Sequence, residues 1–177
     1  MRIVGGTWAG VDLASPGARV RPTREDVRGA WLTGLESDLR GARVLDLFSG
    51  TGALGLEALS RGAASVDFVE NGASALHALK ANVAKLRVKN RTRLFKKDVF
   101  TFLEGTASFP YDLALADPPY TSRAPERLVS LWLANPFSRI LCVEHSADRS
   151  LPGRGRVRRF EETAITTFRV RVPRPGS

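Results

Sequence analysis

An apolar run, Val44-Leu45-Asp46-Leu47-Phe48, stops abruptly at Ser49-Gly50-Thr51-Gly52, and Ala53 to Leu59 then reads as a helix. Strand, glycine turn and helix in immediate succession open a βαβ unit. This constrains the chain strongly, because a parallel neighbour can be reached only through a right-handed crossover, with helices covering the sheet. The rhythm continues. Residues 65–70 form a second β-like stretch, and Leu76, Leu79, Val83 and Leu86 place one apolar stripe on the helix that follows. Further strands are predicted over 92–96, 112–116 and 140–144, with helices over 99–103 and 125–133. The end of the chain changes character. Residues 157–163 and 165–172 alternate apolar and polar positions around a short break, as an antiparallel hairpin does. The predicted class is α/β, a mostly parallel sheet with a carboxy-terminal antiparallel hairpin.

A chain of 177 residues suits one such domain. Residues 1–22 mix Gly, Pro and Arg and are read as a basic arm or hairpin appended to a domain spanning 23–177. Thr23 and Asp26 have the spacing of a helix start, and Val27, Ala30, Trp31 and Leu35 recur at helical intervals, which predicts a helix over 23–39. With 27 basic and 18 acidic residues the formal net charge is +9. The excess gathers in the arm (Arg2, Arg19, Arg21, Arg24, Arg28) and in a late stretch from Arg149 to Arg174. A polyanionic partner fits this balance, although basic runs also serve solubility alone. Cys142, in Ile140-Leu141-Cys142-Val143, reads as a small buried hydrophobe, and His77 and His145 have no neighbours at metal-ligand spacing. No apolar run is long enough to span a membrane and the first residues do not form a signal peptide, so a cytoplasmic protein is expected.

Open α/β sheets bind ligands beyond the carboxyl ends of their strands. In the first such loop, Gly50, Gly52 and Gly55 fit G-x-G-x-x-G, whose missing side chains let a ligand approach the backbone. Glu70 follows Gly50 by 20 residues and ends the second strand, where a carboxylate can accept hydrogen bonds from ribose hydroxyls. An adenosine-containing cofactor is implied, and a nicotinamide or flavin dinucleotide satisfies this pattern as well as S-adenosylmethionine does. Asp98 stands where it can accept an adenine amino group or cap the next helix. Asp46 either faces the methionine end of the cofactor or is a buried carboxylate bonded to loop amides.

The fourth loop separates these readings. The apolar strand Leu113-Ala114-Leu115-Ala116 runs into Asp117-Pro118-Pro119-Tyr120, where successive prolines hold an extended lip rich in acceptors. An exocyclic base amine is a poor nucleophile because its lone pair is delocalised into the ring. The Asp117 carboxylate and the Pro118 carbonyl can take its two N–H groups while Tyr120 stacks on the base, orienting the nitrogen toward a methyl sulfonium.

These residues resemble a known family. Asp46 to Ala63 and the later Asp117-Pro118-Pro119-Tyr120 are similar to the RsmD family of small-subunit rRNA guanine-N2 methyltransferases. Arg2-Ile3-Val4-Gly5-Gly6, Arg21-Pro22-Thr23 with Val27-Arg28, and Val143-Glu144 support the likeness, which covers nearly the whole chain. The resemblance implies a Rossmann-like class I methyltransferase sheet of seven strands, S-adenosylmethionine as donor, and rRNA of a partly assembled small subunit as substrate. A monomer is expected, with no metal and no membrane association. The candidate cofactor residues are then Asp46, Phe48, Ser49, Gly50, Thr51, Gly52, Ala53, Glu70, Asn71, Asp98 and Val99, the catalytic lip is Asp117 to Tyr120 (Asp117, Pro118, Pro119, Tyr120), and Arg2, Arg21, Thr23 and Arg28 are candidate RNA contacts. The chain departs from the family pattern at Trp8-Ala9-Gly10-Val11-Asp12, where a basic run is usual, and at Gly29 and Gly72, where acidic residues are common. An adenine-N6 or protein-glutamine methyltransferase, a dinucleotide-dependent oxidoreductase and a non-catalytic RNA-binding module are the competing readings.

Overall fold

The computed structural model describes residues 1–15, 25–108, 110–119 and 121–170. Among these, seven strands form one sheet: β1 (Arg43–Leu47), β2 (Ser65–Glu70), β3 (Thr92–Lys96), β4 (Tyr111–Ala116), β5 (Ser138–Ser146), β6 (Arg156–Phe160) and β7 (Thr163–Arg169). Their order is β3-β2-β1-β4-β5-β7-β6. The first five are parallel, and β7 runs antiparallel to both of its neighbours. The chain builds outward from β1 to β2 and β3, then returns to place β4 on the other side of β1. A crevice opens at such a reversal, because the flanking crossovers leave in opposite directions. The fold is thus a Rossmann-like α/β sheet, mostly parallel with a carboxy-terminal antiparallel hairpin, as the sequence led one to expect.

Six α-helices among the described residues cover the two faces: α1 (Glu25–Thr33), α2 (Glu36–Leu39), α3 (Ala53–Ser60), α4 (Ala73–Lys85), α5 (Val99–Glu104) and α6 (Ala124–Ala134). Strand alternation divides the core between them. Val44, Phe68, Leu113, Leu115 and Cys142 point to the side of α1 to α4, whereas Leu45, Leu47, Val69, Ala114 and Val143 meet α5 and α6. Among the described residues, no helix is long and apolar enough to cross a membrane.

Two expectations need correction. The single helix predicted over 23–39 is broken into α1 and α2: Gly34 is a weak helix former, and the Leu35 N–H turns to the Leu32 carbonyl at 3.1 Å, a tighter turn than the helical ladder uses. This lets Leu35, Trp31 and Leu39 all enter the core. The cap assigned to Thr23 lies outside the described residues. The other correction concerns the amino-terminal segment, which through residue 15 is no appendage. An antiparallel bridge joins Arg2 to Asp12, and Ile3 and Leu13 are buried in the main core. The reason lies in α3, in which Leu54 to Ser60 are all buried; a helix buried on every side needs cover on every side. The sheet covers one side of it and the amino-terminal loop caps the other, with the Thr7 N–H bonded to the Ser60 carbonyl at 2.8 Å and the Ser60 hydroxyl to the Gly5 carbonyl at 2.6 Å.

A buried ionic cluster fastens this layer. Glu57 of α3 is fully buried and accepts from Arg28 Nε of α1 at 2.8 Å and from Arg61 Nη2 at 2.9 Å. Arg28 also donates to the Arg2 carbonyl, and the Val4 N–H reaches Glu57 at 3.4 Å. Removing one member strands the others without water. Glu57→Ala is therefore expected to destabilise the protein by about 3–5 kcal/mol in urea titrations. A loss below about 1 kcal/mol would contradict the role given to this cluster.

Candidate active site

The turn after β1 is held by side chains from within the sheet. The Ser49 hydroxyl donates to the Asp46 carbonyl at 2.6 Å and accepts from the Val69 N–H at 2.9 Å, stapling the ends of β1 and β2. Asp46 Oδ2 accepts the Gly55 N–H of α3 at 2.9 Å. Glu70 accepts the Gly50 N–H at 2.8 Å with one oxygen and the Gly72 N–H at 2.7 Å with the other. The backbone must bend sharply to do this. Phe48 sits at φ 58°, a region a phenylalanine occupies only under constraint, and Gly50 and Gly52 follow at φ 53° and 80°. The glycines differ in purpose. A Cβ on Gly55 would lie 2.5 Å from Phe68 and 2.8 Å from Asp46, so the third glycine lets α3 lie against the sheet. A Cβ on Gly50 would meet nothing within 4 Å, since that position faces open space.

That space is a cavity of about 630 Å³ at the β1/β4 reversal, large enough for a nucleoside-sized ligand. Its walls include Asp46, Phe48, Ser49, Gly50, Thr51, Ala53, Glu70 and Asn71 from the first two loops, together with Asp117, Pro118 and Pro119 from the fourth. The structure thus brings most of the predicted cofactor residues and the proline lip to one place. Pro118 is buried and Pro119 exposed, and the Pro119 carbonyl accepts from the Ser122 N–H and hydroxyl, which fixes the far end of the lip. Tyr120, Arg21 and Thr23 lie outside the described residues.

Other predicted residues have different positions. Gly52, Asp98 and Val99 are not in the cavity wall. Gly52 packs on Leu79, and the Val99 side chain is part of the core with α5. Asp98 caps α5, with Oδ1 accepting from the Phe100 N–H at 2.9 Å and the Thr101 N–H at 3.0 Å. Arg28 is 1% exposed, with its guanidinium engaged by Glu57 and the Arg2 carbonyl, and it lies in the wall of the same cavity. It holds the amino-terminal layer together. Arg2, in contrast, has an exposed side chain, 3.6 Å from Glu25.

Two contributors escaped the sequence reading. Asn82 of α4 is fully buried; its amide donates to the Thr51 carbonyl at 2.9 Å and its oxygen accepts the Ala14 N–H at 2.7 Å, tying the glycine turn to the amino-terminal layer. The available signal was a polar residue three positions after Leu79 on the buried stripe. The second contributor is the far wall, where Asp26, Glu144, Glu161, Glu162 and Phe160 join the cavity. Ala116 pairs with Val143, so Asp117 and Glu144 leave neighbouring strands side by side.

The electrostatics select the ligand. Burial pushes the Asp46 carboxyl up to about 8, against the lowering effect of the Gly55 N–H, and Asp117 and Glu70 add to the rise. Around the same cavity Asp26, Glu70, Asp117, Glu144, Glu161 and Glu162 outnumber Arg28, a balance that suits a cation better than a pyrophosphate. The turn's amides are also engaged, since the N–H groups of Ser49, Gly50 and Gly52 bond to Val69, Glu70 and Ser49. A dinucleotide would find few donors here. Among the described residues, no group of three or more His, Cys, Asp or Glu could hold a metal ion.

Comparison with known proteins agrees with this architecture. The family model described as "Conserved hypothetical protein 95" matches residues 1–162. The ribosomal RNA small subunit methyltransferase D of Escherichia coli K12 is 34% identical over 158 residues, 86% of this chain and 78% of its own. A solved structure of a hypothetical protein from Thermus thermophilus superposes with a TM-score of 0.83 at 31% identity, covering 96% of this chain and 99% of that one. An Escherichia coli chain described as a candidate methyltransferase, yhhF, superposes with a TM-score of 0.82 at 30% identity, covering 96% and 97%. The chain therefore belongs to the RsmD family.

Proposed function

We propose that the protein transfers a methyl group from S-adenosylmethionine to the exocyclic N2 amine of a guanine in small-subunit rRNA. One observation carries this reading: the cavity joins the acid-lined glycine turn of β1 to the Asp117-Pro118-Pro119 lip of β4. Family membership supports rRNA as the substrate, and the +9 charge suits it. The protein would act as a cytoplasmic monomer on a partly assembled subunit.

When bound, the sulfonium supplies an electrophilic methyl group. Glu70 would accept hydrogen bonds from ribose hydroxyls while it holds the Gly50 amide. Asp46 and the open approach at Gly50 suit the methionine end. Asp98, beyond the cavity on the next strand end, would accept the adenine amine through the oxygen not used in capping. At the target, the Asp117 carboxylate and Pro118 carbonyl hold the two N–H groups and turn the nitrogen lone pair toward the methyl group. Transfer would form the nitrogen–carbon bond as the donor's carbon–sulfur bond breaks. The methylated nitrogen becomes strongly acidic and passes a proton to Asp117, so positioning carries most of the catalysis. Tyr120 is proposed to stack on the base.

Incubation with labelled S-adenosylmethionine and hypomethylated small subunits, followed by nucleoside mapping, is expected to place label in N2-methylguanosine. Asp117→Ala should lower the rate at least about 100-fold with cofactor affinity within about threefold of wild type, the pattern of lost orientation. Undiminished transfer by Asp117→Ala would refute the lip.

A pH dependence follows from Asp46. Its carboxyl lies at about 8 in the fold against an ordinary value of 3.8, so between these values the folded protein holds a proton that the unfolded chain has lost. Stability therefore falls as pH rises from about 4 to about 8 and levels above that. Asp46→Asn should remove this slope when melting temperatures of the two proteins are compared across about pH 5 to 8.5. A cationic ligand favours the carboxylate, so cofactor affinity should rise with pH over about 6 to 8 in the wild type and stay flat in Asp46→Asn. Wild-type affinity that fell with pH would contradict this placement.

A further inference from the structure

The edge strand β6 is built unlike the rest of the sheet. Among the described residues it pairs only with β7, and Arg156 to Arg159 are exposed along it, with Val157 at 48%. Because β6 is antiparallel to β7, which is antiparallel to β5, it runs in the same sense as β5 and ends at the cofactor end of the sheet. Phe160, its last residue, lines the cavity. Arg156, Arg158 and Phe160 share one face by alternation, and the Arg158 guanidinium lies 5.0 Å over the Phe160 ring while bonding the Ala30 carbonyl of α1 at 2.9 Å. Arg154 and Arg156 are exposed and have no side-chain hydrogen-bond or ion-pair partner among the described residues.

From this arrangement we infer that the β6 edge is the track on which the RNA backbone docks, with Arg154 and Arg156 on phosphates and Phe160 leading the target base into the cavity. The inference rests on the rRNA reading above. Arg156 and Phe160 are about four strand residues, roughly 13 Å, apart, so the cations stand back from the reacting centre. Charge changes sign along this path. Arginines line the edge where a phosphodiester must be held, and Glu161, Glu162 and Glu144 line the mouth, where a phosphate is repelled and the N–H-bearing edge of a base is favoured. Among the described amino-terminal residues Arg2 is exposed, Arg28 is buried, and residues 8–12 include no Lys or Arg.

Charged residues also protect sheet edges from pairing with other chains, and either sign serves that purpose. Charge reversal separates the roles. Binding of an unmethylated small-subunit rRNA transcript is measured by filter retention across a salt series for wild type and Arg154→Glu/Arg156→Glu. The dissociation constant is expected to rise at least about tenfold, and the slope of log affinity against log salt to fall by about 1.4, about 0.7 for each phosphate no longer neutralised. S-adenosylmethionine affinity and the melting temperature should be unchanged, and Arg154→Lys/Arg156→Lys should bind nearly as wild type does. An unchanged dissociation constant and salt slope in the glutamate variant would overturn the inference. Edge-dependent binding without methyl transfer by the wild type would overturn the functional reading alone.

Discussion

Everything at the functional end of the molecule depends on how the chain turns between β1 and α3. Ser49 staples β1 to β2, Asp46 takes the Gly55 amide in the first turn of α3, and Glu70 takes the Gly50 amide. These bonds hold Phe48, Gly50 and Gly52 in left-handed backbone and bring α3 against the sheet through Gly55. The strain is local and the supports come from two strands and a helix, so the turn is rigid before any ligand arrives. Its donors are largely consumed internally, while its carboxylates remain at the cavity wall. That balance suits a cationic ligand better than a pyrophosphate.

A second layer of order holds the turn in place from outside. Asn82 joins the Thr51 carbonyl to residue 14, and Glu57 gathers Arg28 and Arg61 beneath the amino-terminal loop. The segment that looks like an appendage is a structural cover for a helix with no exposed face. Arg2 of this segment faces outward, whereas Arg28 of α1 beneath it faces inward. Among the described residues, a run of exposed arginines lies toward the opposite end of the sequence, on β6.

Much of this was legible in the residues. Period-two and helical spacing located the strands well, because the parallel strands are buried on both faces and the helices carry stripes. The glycine turn, Glu70 and Asp117-Pro118-Pro119 were recognisable because each is a local chemical pattern at a strand end. What stayed hidden depends on contacts distant in sequence. Nothing near Arg28 shows that Glu57 lies 29 residues away in a dry interface, and nothing near Asn82 marks its oxygen as the partner of Ala14. The packing of Ile3 follows from the all-round burial of α3, which becomes evident only once the layers are assembled. The acidic far wall from Glu144 and the β6–β7 turn requires strand order, since β7 inserts between β5 and β6. Asp98 illustrates the remaining ambiguity: helix cap and ligand acceptor demand the same residue at the same position, and the capping bonds are what the fold displays.

The pinned, acid-walled turn is proposed to hold a sulfonium-bearing adenosine cofactor. Isothermal titration of the protein with S-adenosylmethionine and, separately, with NAD tests it most directly. Saturable one-to-one binding of S-adenosylmethionine that weakens in Glu70→Gln, with no measurable heat from NAD, is the predicted result. Binding of NAD without binding of S-adenosylmethionine would contradict the account.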